Sequence, residues 1–430
     1  MKKYLILVSA LVITIASCRK VDDSSVFDKS ADQRLTAALN AYQSKLSGEK
    51  NGWKGMLTTR TGGIYTFYFQ FNDSNRVKML SSFDSLSAVT IKESSYRLKA
   101  LQQPSLLFDT YSYIHVLADP TPGINGGAAG TGLVSDFEFY FDDSTTTADQ
   151  IGLVGRFNGS KMVLTRNTAA DFTAFNTGQL AGGLMVNKIL TYFKRVVING
   201  TDSADLHTGR ATVALADATG NLLDATKQST YYLTLGGLGF SKPLTVGTKT
   251  MSGITNMSYN AVTGFITATI GGQPAVIKPV AVPAKVDLTS PARWYTWTKN
   301  SIYVGSLDGF HQQGVDDAFG VKTLAGYSFT QYYPVASPPY DAVRIIASTA
   351  YGPAITPSFP ANTGRVVFPN SGFQFGTPPA AAATVYAKFR TQLFQAQGYY
   401  LVQTATGGDD VTTYDMVSVA DATTWISWEY

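Results

Sequence analysis

The sequence is poor in the residues that carry much of enzyme chemistry. Its 430 residues include one cysteine, Cys18, and three histidines, His115, His207 and His311. A single thiol excludes an intramolecular disulfide, so stability has to come from a packed core. It also excludes a thiolate cluster for zinc, and no His-Glu-x-x-His spacing is present. Glutamate is as scarce: only Glu49, Glu93, Glu138 and Glu429 stand beside 26 aspartates. Charged residues make up 15%, below the roughly 25% of an ordinary soluble domain. The net charge is +4, half of it from Lys2 and Lys3, which gives no electrostatic case for a nucleic-acid partner. Neither Gly-x-Ser-x-Gly nor a P-loop pattern occurs, and no cofactor is indicated.

What is present points to strands and turns. Hydrophobic residues reach 44%, enough for a sizeable core, with 39 Gly, 24 Tyr and 24 Phe. Aspartate favours turns and caps where glutamate favours helices. The expected fold class is a β-dominated α+β protein, built of antiparallel meanders and hairpins with a few amphipathic helices.

The N-terminus reads as a secretory signal: Lys2 and Lys3 precede an apolar run from Leu5 to Ala16, too short at ~1.5 Å per residue to cross a ~30 Å hydrocarbon layer. Ile15-Ala16-Ser17-Cys18 resembles a bacterial lipobox, in which the cysteine is acylated and becomes the mature N-terminus. The following Arg19-Lys20-Val21-Asp22-Asp23 resembles the surface-export signal of Bacteroidetes lipoproteins. The expected address is therefore the outer membrane, lipid-anchored through Cys18 and exposed at the cell surface.

Ser30 and Gln33 form a capping-box pattern ahead of Leu35, Ala38, Leu39, Tyr42 and Leu46 at helical spacing. From Ile64 the period becomes two, placing Tyr65, Phe67, Phe69 and Phe71 on one strand face, and Asn72–Asn75 turns it into a hairpin with Arg76–Leu80. Tyr111, Tyr113 and His115 alternate as in a strand, Pro120–Gly132 reads as a mobile loop, and Asp171–Tyr192 as one or two helices broken at Gly182-Gly183. Ala380–Gln397 reads as a late helix, followed by strands at Tyr399–Thr404, Tyr414–Val419 and Thr424–Trp428. No internal repeat is evident. Alternating strands with a terminal Tyr430 also fit an outer-membrane barrel, against which the helices and the lipobox argue. The expected division is 1–17 signal peptide, 18–29 acylated tether, 30–200 N-terminal helix and antiparallel β domain, and 201–430 C-terminal β-rich domain with the late helix.

Several blocks resemble one family, the Bacteroidetes lipoproteins of domain of unknown function 4302. They are Phe27–Leu35, Asn51-Gly52-Trp53, Ser95–Pro120, Gly130–Phe141 and Ile151–Arg166. The resemblance implies an accessory role beside SusC-like and SusD-like nutrient importers, often next to a zinc metallohydrolase. It assigns no catalytic residue, and only Cys18 is carried over, as the lipidation site.

The residues themselves offer few catalytic candidates. His115 is expected to be a satisfied core side chain, and His207 and His311 are expected in loops. Asp136, Asp142 and Asp143 bracket the Phe137–Phe141 strand and read first as turn acids, with a carboxylate cluster for Ca²⁺ as the alternative. Aromatics are the remaining clue: Trp294, Trp297, Tyr332, Tyr333 and Tyr340 fall near expected loops, and flat rings with polar tips suit a sugar face or a protein partner. A non-catalytic binding or accessory protein is the first reading; the alternative is a lipid-anchored hydrolase using Asp carboxylates.

Overall fold

A computed structural model describes residues 29–209, 211–405 and 412–429. The signal segment, Cys18 and the export-like tract lie outside the described residues. The fold is β-dominated α+β, with antiparallel sheets and few helices.

The capping box forms as the sequence predicts: Ser30 and Gln33 exchange backbone and side-chain bonds at the start of the helix Ala31–Ser47. After it comes an eight-stranded antiparallel barrel in simple meander order, closed where Trp53–Thr58 pairs with Lys161–Arg166. Eight strands leave an interior just wide enough for side chains to fill, and here aromatics fill it. Phe67, Phe69 and Phe71 point inward with Trp53, Tyr96, Phe108 and Phe139, all buried. The helix contributes Leu46, whose carbonyl accepts the Trp53 indole N–H at 3.1 Å.

The same strand is buried on its other face. Tyr68 leaves the first core and packs against Phe172 and Phe175, while the Thr66 hydroxyl donates to the Leu233 carbonyl at 2.6 Å. These contacts join the first barrel to a second one. It is also an eight-stranded meander, running from Phe193–Ile198 to Gln273–Val280, which pair to close it. Its interior is aliphatic, with Val196, Ile198, Leu206, Leu238, Ile254, Ile266 and Ile277 fully or almost fully buried. Two successive closed meanders are thus present where the sequence shows no repeat, because alternation specifies a strand face but not the residue type on it.

The segment between the barrels is the helix Ala169–Asn176 and the 3-10 stretch Gln179–Lys188. Gly182 and Gly183 let this stretch lie flat on the second barrel. A Cβ on Gly182 would sit 2.8 Å from Gly236 Cα, and one on Gly183 2.4 Å from the Gly237 oxygen.

The last unit has two five-stranded sheets joined by a backbone bridge between Gly305 and Glu429. Their shared core also takes in Trp294 from the helix Ser290–Asn300, and Phe389 and Leu393 from the helix Ala383–Leu393.

Four expectations change. The boundary placed at 200/201 falls inside the hairpin Phe193–Ile198/Asp202–Thr208, whose strands are paired neighbours of one barrel. Tyr113–Val116 is a short helix rather than a strand, because Ser112 N–H bonds His115 Nδ1 and starts a turn. The Pro120–Gly132 loop is tied down by Asn125, whose amide donates to the Val116 and Asp119 carbonyls at 2.7 and 2.9 Å. Trp294 and Trp297, expected near a loop, lie in the helix Ser290–Asn300, because Asp287 accepts the Thr289 and Ser290 N–H groups and Pro291 suits the first turn.

Phe69→Ala should lower the unfolding free energy by about 3–5 kcal/mol, as loss of a buried aromatic does. Denaturant unfolding checks this, and an unchanged midpoint would mean the face is not a core.

Candidate functional site

The second barrel and the C-terminal unit meet along Tyr192, the residue just before the barrel's first strand. Its hydroxyl donates to Asp415 Oδ2 at 2.7 Å, and its N–H bonds the Ala422 carbonyl at 2.6 Å. Ser427 donates to the other oxygen of Asp415. Phe193 packs edge-on against Tyr400, and Tyr192 against Trp425, at ring separations of 5.8 and 5.7 Å. Burial pushes the Asp415 carboxyl above its ordinary range, partly countered by the two hydroxyls, and pushes the Tyr192 phenol well up.

Above this junction lies a cleft of ≈ 860 Å³, in the size range of small-molecule sites. One wall is the mouth of the second barrel, including Lys194, His207, Thr208, Thr212 and Ser241; the other carries Trp425, Ser427 and Glu429 of the C-terminal unit. A hollow of ≈ 40 Å³ beyond Tyr192 and His207 has room only for water.

Two basic groups of the cleft are perturbed. Lys194 shares the strand face of the buried Val196 and Ile198, so its half-buried ammonium stands at the barrel mouth. Desolvation holds it down to about 8. The half-buried His207 belongs to the strand Asp202–Thr208 and lies 5.2 Å from the Tyr192 ring. Desolvation and the Lys194 charge hold its imidazole down to about 4. Such a group in a cleft is a candidate functional residue on physical grounds.

The aromatics singled out in the sequence do not gather. Trp294 and Tyr332 are fully buried core neighbours at 4.8 Å. Trp297 packs against Tyr414 at 5.2 Å. Tyr333 lies in the strand Phe329–Ser337 under the Arg344 guanidinium, and Tyr340 packs against Phe373. Tyr332 and Tyr333 are strand residues because the run Phe329–Ser337 pairs with Tyr340–Ile346, so the expected loop is a hairpin.

The other candidates resolve into structural roles. His115 Nε2 bonds the Phe108 carbonyl at 3.1 Å, so both ring nitrogens are satisfied and the neutral form is favoured. His311 and His207 are strand residues, not loop residues; His311 stacks on Trp425 at 3.9 Å and bonds Asp316. Asp136 accepts the N–H groups of Phe157, Asn158 and Ser160, and Asp142 closes its own turn through Ser144. Among the described residues no three His, Cys, Asp or Glu side chains are grouped to hold a metal.

The family model described as Domain of unknown function (DUF4302) matches residues 23–258, more than half of the chain. The chain belongs to that family. The DUF4302 match takes in the first barrel and the second as far as the strand Lys249–Asn260, and so includes the Lys194 and His207 wall of the cleft. No curated protein matches the chain. Among solved structures, the Helicobacter pylori beta clamp in complex with carprofen aligns at 7% identity over 92% of this chain and 96% of that one. Its TM-score of 0.12 carries no argument about the fold.

The sequence reading passed over Lys194, Tyr192 and Asp415. No alternation marked the first: Phe193-Lys194-Arg195-Val196-Val197-Ile198 has no period of two, and only the burial of Val196 and Ile198 places Lys194 on the inward face.

The low value of His207 fixes a pH dependence. Unfolded chains take up a proton below about 6.5, the folded imidazole only near 4, so stability falls as pH drops between those values. His207→Gln should flatten that part of the profile by the order of 1–2 kcal/mol, allowing for water in the cleft. Denaturation at a series of pH values checks it.

Proposed function

We propose that this is a non-catalytic, lipid-anchored binding protein of the outer membrane, displayed at the cell surface, that presents a small ligand to a SusC/SusD-like importer. The observation that carries the binding part is the cleft at the junction of the second barrel and the C-terminal unit. It is concave, sits at a barrel mouth and a unit boundary, as ligand sites often do, and is lined by many polar side chains together with the Tyr192 and Trp425 rings. Asp415, its buried carboxylate, already accepts two hydroxyls and is poorly placed to act as a free acid or base. The anchoring part rests on Cys18 and the lipobox-like residues before it. A neighbouring zinc metallohydrolase, implied by the family resemblance, would be a separate protein.

Cys18→Ser should abolish fatty-acid labelling and release the protein from membranes; retention as an integral species would reject the anchor. The wild-type chain purified from membranes should bring importer components with it. Small molecules released from it should be missing from Ser241→Trp, which fills the cleft from an exposed position. Identical contents in the two preparations would reject the cleft as the site.

A further inference from the structure

The charges lining the cleft are unevenly paired, and the imbalance specifies a ligand class. Two half-buried arginines outside the cleft have anions beside them: Arg195 holds Asp205 at 2.7 Å and Arg293 holds Asp287 at 2.8 Å. Lys194 does not. Its ammonium has a single protein partner among the described residues, the Thr191 carbonyl at 3.3 Å, and forms no ion pair. His207 makes no hydrogen bond through its ring nitrogens among the described residues and packs against the Tyr192 ring. Both face the same cleft.

A desolvated cation without a counter-ion is costly, and the cost is relieved by an anion that hydrogen-bonds to it. Charge-assisted bonds of this kind are also the stronger ones. The acids among the described residues of the cleft do not serve: Asp415 is engaged by Tyr192 and Ser427, and Glu429, on the opposite wall, forms no ion pair with Lys194. Around the two basic groups the barrel mouth carries the hydroxyls of Thr208, Thr212, Thr230 and Ser241. Trp425, on the opposite wall, offers an apolar ring.

Taking the cleft as the binding site proposed above, we infer that it receives a small anionic ligand, a carboxylate or phosphate on a hydroxyl-bearing body. The anion is seated at Lys194 and His207, and the body lies among the threonine and serine hydroxyls beside Trp425.

The test uses the full chain in detergent, with thermal melting and calorimetry against four probes: glucose, glucuronate, glucose 6-phosphate and inorganic phosphate. At least one of the two acidic sugars should raise the melting temperature and bind at least about tenfold more tightly than glucose. Which of them does so distinguishes a carboxylate ligand from a phosphate one. Inorganic phosphate should bind more weakly than the preferred sugar, since it lacks the body. Lys194→Met should lose at least about tenfold in affinity for that sugar. The variant should itself melt at or above the wild type, because it removes an unpaired cation, so the loss is not a failure to fold. His207→Gln, which keeps a polar side chain, gives a second reading and should weaken the same probe. Equal binding of glucose and the acidic sugars, or unchanged binding in Lys194→Met, overturns the anionic assignment while leaving the cleft as a site. No response to any probe also overturns it, and the binding reading then stands or falls on the contents of Ser241→Trp.

Discussion

The hydrogen bond from Tyr192 to Asp415 links residues 223 positions apart and is buried at both ends. A carboxylate shut away from water needs donors, and Asp415 has two, the hydroxyls of Tyr192 and Ser427. Removing either leaves a buried acceptor short of a partner, which costs more than the bond itself contributes in net terms. Because Tyr192 directly precedes the strand that opens and closes the second barrel, the bond fixes that barrel's mouth against the C-terminal sheet. The cleft wall follows from this placement: Lys194 lies at the start of the strand that follows the clamp, His207 lies near the end of the antiparallel strand paired with it, and Trp425 and Ser427 lie on the strand paired with that of Asp415.

The first barrel and the helix that precedes it support that junction through the second barrel. In the first barrel, the strand Ile64–Phe71 is buried on both faces, with its phenylalanines inside and Tyr68 outside in the core of the second barrel. The two interiors differ in kind, aromatic in the first and aliphatic in the second, though the topology is the same. A filled barrel has no free edges to open, so relative movement is confined to the contacts between units. At the cleft, those contacts are Tyr192, Phe193, Tyr400, Val417 and Ala422.

Much of the local structure was legible because it follows from short-range chemistry. The excess of aspartate over glutamate has a direct structural account: Asp142, Asp217, Asp224 and Asp287 each accept the backbone N–H and the hydroxyl of the Ser or Thr two residues on. The aspartate side chain has the reach for this turn, and it is a recurrent device for reversing a chain. The same chemistry starts the helix Ser290–Asn300, where Asp287 accepts the Thr289 and Ser290 N–H groups ahead of a run expected near a loop. Barrel closure and the cleft were not legible, since pairings such as Trp53–Thr58 with Lys161–Arg166 join residues over a hundred positions apart. The aromatic residues offered as contacts failed for a related reason. A ring suited to a ligand is equally suited to a core, and only the tertiary structure places Trp294 and Tyr332 inside and Trp425 beside the cleft.

The account depends most on the clamp holding the two cleft walls together. A double-mutant cycle of Tyr192→Phe and Asp415→Ala, read by unfolding free energy at neutral pH, tests it directly. The account predicts that the single losses do not add, with a coupling energy of about 1–3 kcal/mol between the two positions. Additive losses would show that Tyr192 and Asp415 act independently and that the junction is held by something else.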